Sequence, residues 1–171
     1  MVSANEKFVI DTCSILDVKR RLPAPFRKTV YGKLTEYVGQ KVLYFPDEVF
    51  KELKNGTSAE ASDQAFAWAK ANREDATSYG DLTVDVAALL QSRPVVSKII
   101  DPEKGAIIEA DPYILALALK MKNEGFTAIV ITEETKTSSV KMALSQACGI
   151  LRIPSIGILT FLDQEGISTG L

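Results

Sequence analysis

A chain of 171 residues that is 46% hydrophobic and 25% charged, with a net charge of −2, reads as one globular domain over residues 1–171 with a sizeable core. The lack of histidine excludes a serine or cysteine nucleophile worked by a histidine base, and it excludes histidine-based zinc sites; two cysteines cannot make a Cys₄ site either. There is no G-x-x-x-x-G-K-[ST] loop, no G-x-G-x-x-G fingerprint and no apolar run of membrane-spanning length, and MVSANEKF lacks a signal-peptide pattern, so no membrane partner is expected and the default location is cytoplasmic.

The first apolar run, Phe8 to Ile10, predicts a buried strand that breaks on Asp11. Asp11 is suited to cap a short helix starting at Thr12 or Cys13. From Lys19 to Lys41 the chain carries Lys19, Arg20, Arg21, Arg27, Lys28, Lys33 and Lys41 against Glu36 alone. This is either a solvated helical face or a phosphate-contacting patch helped by Phe26 and Tyr31. Val42 to Phe45 predicts a second strand, which runs into Pro46-Asp47-Glu48 and a helix stopped by Asn55-Gly56. SAEASDQAFAWAKANRE and DLTVDVAALLQ are helical in composition. Asp111-Pro112 opens the helix YILALALKMK, which ends near Gly125, and Asp111 reads there as an N-cap with proline at the first helical position. Strands at Ala128 to Thr132 and Ile156 to Thr160 flank a helix over SSVKMALSQA that ends at Cys148-Gly149. The tail LDQEGISTGL is expected to fray. Cys13 and Cys148 have no C-x-x-C spacing and read as free thiols.

Val/Ile-rich strands without clean alternation suit burial on both faces. Their alternation with helices predicts an α/β fold, a central parallel sheet between helical layers, with extra helices in the middle of the chain. Sites in such sheets form beyond the carboxyl ends of the strands, and acids fall at or near those ends. Asp11 ends the first strand, and Glu133 and Glu134 end AIVIT. Glu48 and Glu52 are four residues apart on one face of the helix after VLYF. Each acid also has a purely structural reading as a cap, a helix-dipole partner or a solvated turn residue. Any catalysis here leans on carboxylates, hydroxyls and lysines, and carboxylate oxygens favour hard cations such as Mg²⁺ or Mn²⁺.

Taken together, these segments resemble the PIN-domain nucleases. FVIDTCSIL is similar to the opening of that family, where an aspartate follows the first strand. VFKELKNG resembles the segment of VapC-type members in which a glutamate precedes leucine, here Glu52. EADPYILALAL matches D-x-x-I-x-A-x-A through Asp111, Ile114, Ala116 and Ala118, and VITEE stands where the family has T-x-D or T-x-N, which puts Glu134 at the fourth position. The resemblance runs along nearly the whole chain, and the combination of E-L-K-N-G, A-D-P-Y and I-T-E-E with a later IPSIGI is most similar to a little-characterised PIN-like branch rather than to ordinary VapC toxins. It implies a PIN-like three-layer α/β/α domain and a divalent-metal-dependent ribonuclease with Asp11, Glu52, Asp111 and Glu134 as metal-binding catalytic acids. Secondary candidates are Glu48, Glu133, Thr12, Ser14 and Thr132. Lys19, Arg20, Arg21, Arg27, Lys28 and Lys33 would contact RNA. Partners allowed by the resemblance are a cognate antitoxin protein, with the chain as toxin, and a second copy of the chain as homodimer.

Two departures stand out. The fourth acid is glutamate rather than aspartate, and Cys13 stands where serine or asparagine is usual. They keep open a PIN-like fold with a degenerate site that acts as an RNA- or protein-binding module. A haloacid-dehalogenase-like phosphatase is disfavoured because Asp11-Thr12-Cys13 lacks the second acid of D-x-D. A receiver domain is disfavoured because RIPSIGILT ends in no lysine. Clustered carboxylates repel one another, and a divalent ion turns that cost into binding, which is how hydrolysis proceeds without histidine.

Overall fold

Four short Val/Ile-rich runs pair in register as a parallel sheet. They are β1 (Glu6–Ile10), β2 (Leu43–Tyr44), β3 (Thr127–Ile131) and β4 (Ser155–Ile156), in the order β2-β1-β3-β4. The structure is a computed structural model and describes residues 5–56, 63–105 and 107–171. Val9, Ile10, Val130 and Ile131 are fully buried, as strands covered on both faces require.

The helices are α1 (Thr12–Arg21), α2 (Ala24–Gly39), α3 (Asp47–Gly56), α4 (Gln64–Ala76), α5 (Thr83–Ser92), α6 (Asp111–Asn123), α7 (Leu144–Ile150) and α8 (Ile158–Gln164). Helix α6 packs on β1 and β3 with α5 and α7 beside it. Its buried run Ile114 to Ala118 is apolar on every side, the pattern of a helix enclosed in a core. Elsewhere Phe161 of α8 sits between Phe8 of β1 and Tyr37 of α2, with ring centroids 5.0 and 5.9 Å away. The extra middle helices join the same core: Trp68 of α4 packs on Tyr31 and Phe45 and donates its indole N–H to Thr35. The result is a three-layer α/β/α arrangement.

Several boundaries differ from expectation. The strand expected over Ile156 to Thr160 stops at Ile156, and Ile158 starts α8. Glu133 Oε1 accepts the Ile158 N–H at 2.7 Å, which satisfies a helix-end donor, and Ile158, Phe161 and Leu162 are buried at helical spacing. The tail does not fray at once. Ile167 is buried and its N–H bonds to the Leu162 carbonyl. The helix expected over SSVKMALSQA forms only from Leu144, and it runs past Cys148-Gly149 to Ile150. Upstream, the hydroxyls of Ser138 and Thr137 accept the backbone N–H groups of Val140, Lys141 and Ala143. Such local bonds compete with the helix ladder. Asp111 is not the cap of α6: Ala110 holds that position, and Asp111 and Pro112 open the first turn. The helix expected over SAEASDQAFAWAKANRE begins outside the described residues at 58–62 and is seen as α4 from Gln64.

The strand order positions the site. The chain leaves β1 toward β2 on one side and returns past β1 to β3 on the other. The carboxyl ends of β1 and β3 therefore flank the switch point, where open α/β sheets form their crevice. Ile10 pairs with Ile131, the Asp11 N–H bonds to the Ile131 carbonyl at 3.0 Å, and the Thr132 N–H bonds to the Ile156 carbonyl at 2.9 Å. Asp11 and Thr132 thus leave the sheet side by side.

Candidate metal centre

Asp11 is only 3% exposed and both of its carboxylate oxygens are held. Oδ1 accepts the Ser14 N–H at 2.6 Å, which makes Asp11 the cap of α1, and Oδ2 accepts the Thr132 hydroxyl at 2.5 Å. Ser14 and Thr132 are themselves tied in. The Ser14 hydroxyl donates to the Ile131 carbonyl, and Thr132 Oγ1 accepts the Glu134 N–H at 3.0 Å. Burial pushes the Asp11 carboxyl up to about 6, although these hydrogen bonds favour its charged form. Cys13 takes no part in holding it; Ser14 and Thr132 do.

Glu52 reaches the site from α3. Its Oε2 accepts the Thr12 hydroxyl and its Oε1 accepts the Ala110 N–H at 2.8 Å. One carboxylate therefore joins the starts of α1 and α6, and it fixes where Asp111 sits. Asp111 Oδ2 accepts from the Lys141 ammonium at 2.6 Å. That ammonium also lies 3.1 Å from Glu109 Oε2 and 3.5 Å from Glu134 Oε1. Burial, then repulsion from Asp111, pushes the Glu134 carboxyl up to about 7 against the opposing pull of Lys141. Burial disfavours the charge on Lys141, yet the carboxylates of Asp111, Glu134 and Glu109 outweigh it and hold the ammonium above its ordinary range.

Direct contacts link these acids. Thr132 donates to Asp11 and accepts the Glu134 N–H, the Lys141 ammonium lies against both Asp111 and Glu134, and Glu52 bonds Thr12 and Ala110, the chain neighbours of Asp11 and Asp111. The donor set fits a hard divalent cation: the oxygens are carboxylate, two of the acids are pushed up by burial, and an ammonium already lies among them. Among the described residues, no three Asp, Glu or Cys side chains form a ready-made metal cage, because each acid leans on a protein donor.

The other candidates fall elsewhere or serve the framework. Glu48 pairs with Lys51 at 3.1 Å and lines a separate cleft of about 800 Å³ with Arg73, Asp81 and Tyr113, whereas Glu52 bonds Thr12 and Ala110 beside Asp11 and Asp111. Glu133 turns away to cap α8 and pairs with Arg21 at 3.2 Å. Its Oε1 would lie 2.7 Å from a Cβ at Gly157, so a side chain there would oblige the Glu133 carboxylate to shift. The basic segment is largely neutralised within the chain. Lys19 pairs with Asp63, Arg21 with Asp17 and Glu133, and Lys33 with Glu36, while Arg27 bonds the Leu22 carbonyl. Among the described residues, Arg20, Arg27 and Lys28 have no acidic partner. Sequence reasoning missed Lys141 and Glu109. Glu109 was legible as an acid inside the apolar run IIEA, whereas Lys141 lies in a hydroxyl-rich stretch with no pattern to single it out.

The profile of the family described as Domain of unknown function (DUF4411) matches residues 8–169, and the chain belongs to that family. No curated protein and no solved structure matches significantly.

Proposed function

We propose that this DUF4411 member is a divalent-metal-dependent ribonuclease of PIN-like type, cutting phosphodiester bonds at Asp11, Asp111 and Glu134 with Glu52 as the fourth acid. The observation that carries this reading is that four acids from widely separated parts of the chain are linked at the switch point of the sheet, Asp11 to Glu134 through Thr132, Glu134 to Asp111 through Lys141, and Glu52 to the neighbours of Asp11 and Asp111. Mg²⁺ or Mn²⁺, when bound, neutralises the acids and the substrate phosphate and activates the attacking water. The chain supplies the positions. Asp11 is the fixed point, since Ser14 and Thr132 hold its two oxygens. Glu52 sets the start of α6 and with it Asp111. Glu134 is tethered through its own N–H to Thr132, the same residue that holds Asp11. RNA as substrate, a toxin role beside a cognate antitoxin, homodimer formation and a cytoplasmic setting rest on the resemblance to the PIN nucleases.

The test is incubation of the purified protein with structured and unstructured RNA, in Mn²⁺ and in chelator. Cleavage is expected in Mn²⁺ alone, and Asp11→Asn should lower it by about 100-fold or more. Cleavage that survives the chelator, or that Asp11→Asn leaves intact, overturns the reading.

A further inference from the structure

We propose that Lys141 is the resident counter-cation of the acid cluster, and that it sets the affinity for divalent metal by competing for Asp111 and Glu134. The inference rests on the metal reading of the site. It stands on geometry. An ammonium has three N–H donors and no acceptor. Around Lys141 Nζ lie three carboxylate oxygens, from Asp111 at 2.6 Å, Glu109 at 3.1 Å and Glu134 at 3.5 Å. Two of these oxygens belong to acids of the candidate centre. A divalent ion bound by Asp111 and Glu134 draws on the same two negative charges and is repelled by the ammonium at this range, so its binding is favoured when Lys141 gives way.

Two features show that the arrangement is built rather than incidental. The first is the backbone of Lys141. Its N–H bonds to the Ser138 hydroxyl at 2.9 Å, and the next N–H, of Met142, bonds to the Lys98 carbonyl at 2.7 Å. The second is Glu109, which is buried and is not one of the four candidate acids. Its Oε1 accepts the Asp101 N–H at 2.6 Å, and Lys104 shares Oε2 with Lys141 at 3.1 Å. Glu109 is thus a partner of Lys141 held by contacts outside the four candidate acids. When metal takes Asp111 and Glu134, the ammonium keeps Glu109 and is not stranded as an unpaired buried charge. The metal-free protein is neutralised in advance, and metal binds at the cost of separating Lys141 from two of its three acids.

The experiment is a calorimetric titration of chelator-stripped protein with Mn²⁺. Lys141→Met should bind Mn²⁺ at least tenfold more tightly than wild type, and Lys141→Arg, which keeps the charge, should stay within about threefold of wild type, a modest effect on the scale of neighbouring-group substitutions. Glu109→Gln, which removes the retained partner, should bind more weakly. In wild type, where folding is not in question, acylation footprinting should show Lys141 several-fold more reactive in saturating Mg²⁺ than in chelator. Equal or weaker Mn²⁺ binding by Lys141→Met overturns the proposal, and so does unchanged Lys141 reactivity in metal. If wild type and Lys141→Met bind equally while wild type cleaves RNA, this proposal alone fails. If neither binds Mn²⁺ into the millimolar range, the metal reading fails with it.

Discussion

At the scale of single residues, Asp11 carries the sharpest consequence. A carboxyl raised from 3.8 to about 6 by burial binds a proton in the folded chain that it has lost in the unfolded one. Its charged form is therefore a cost of folding that is absent below pH 4 and complete above pH 6. In chelator, the stability of Asp11→Asn relative to wild type should rise by up to about 3 kcal/mol between pH 4 and pH 7, read by urea denaturation. A difference that is flat across this range contradicts the assignment. Glu134, raised to about 7, adds a cost of the same sign that grows up to neutral pH. Thr132 makes a different case. Its hydroxyl donates to Asp11 and accepts from the Glu134 N–H, so Thr132→Val leaves both groups short of a partner. That should cost about 1–3 kcal/mol, with Thr132→Ser recovering most of it. Asp11 was legible in the sequence as an acid breaking a buried strand. Its supports, Ser14 and Thr132, were legible only as secondary candidates, without the bonds each makes. The bonds come from Ser14, three residues on, and from Thr132, 121 residues away, whereas the family pattern drew attention to Cys13.

At the scale of elements, the two adjacent glutamates after β3 have opposite fates, and helix ends explain them. Glu133 is committed to the first turn of α8, whereas Glu134 turns to Asp111 and Lys141. Glu133→Gln should leave Mn²⁺ affinity within about twofold, and Glu133→Ala should destabilise the chain by about 1 kcal/mol through the lost cap. Loss of metal binding in Glu133→Gln would reverse the two roles. Glu52 ties three helices together, and Glu52→Ala strands the Ala110 N–H at a cost of about 1–3 kcal/mol by the same denaturation assay. Periodicity made the long helices readable because their burial follows from local pattern. It failed at β4 and in the segment before α7. There a distant carboxylate capping Ile158 and local hydroxyl bonds outweighed the apolar pattern of RIPSIGILT and SSVKMALSQA.

At the scale of the molecule, the sheet order is what gathers the acids, and no local pattern announces it. Strand order β2-β1-β3-β4 puts β1 next to β3, so residues 11 and 132 to 134 become neighbours. Among the described residues no helix is long and apolar enough to cross a membrane. The basic segment was open in sequence to a phosphate-contacting patch or a solvated face, and pairing with Asp63, Asp17, Glu133 and Glu36 leaves Arg20, Arg27 and Lys28 without an acidic partner among the described residues, Arg27 being held by the Leu22 carbonyl. Arg20→Ala with Lys28→Ala should lower the salt slope of RNA binding by about 2, while Lys33→Ala should barely move it.

The central claim is that these acids act together on one divalent ion. Its most direct test is a Mn²⁺ titration, by calorimetry, of wild type beside Asp11→Asn, Asp111→Asn and Glu134→Gln. Wild type should bind, and each single change should weaken binding by about 10-fold or more, since removing one carboxylate takes away both a ligand and its charge. Equal Mn²⁺ affinity in wild type and all three variants would contradict the account.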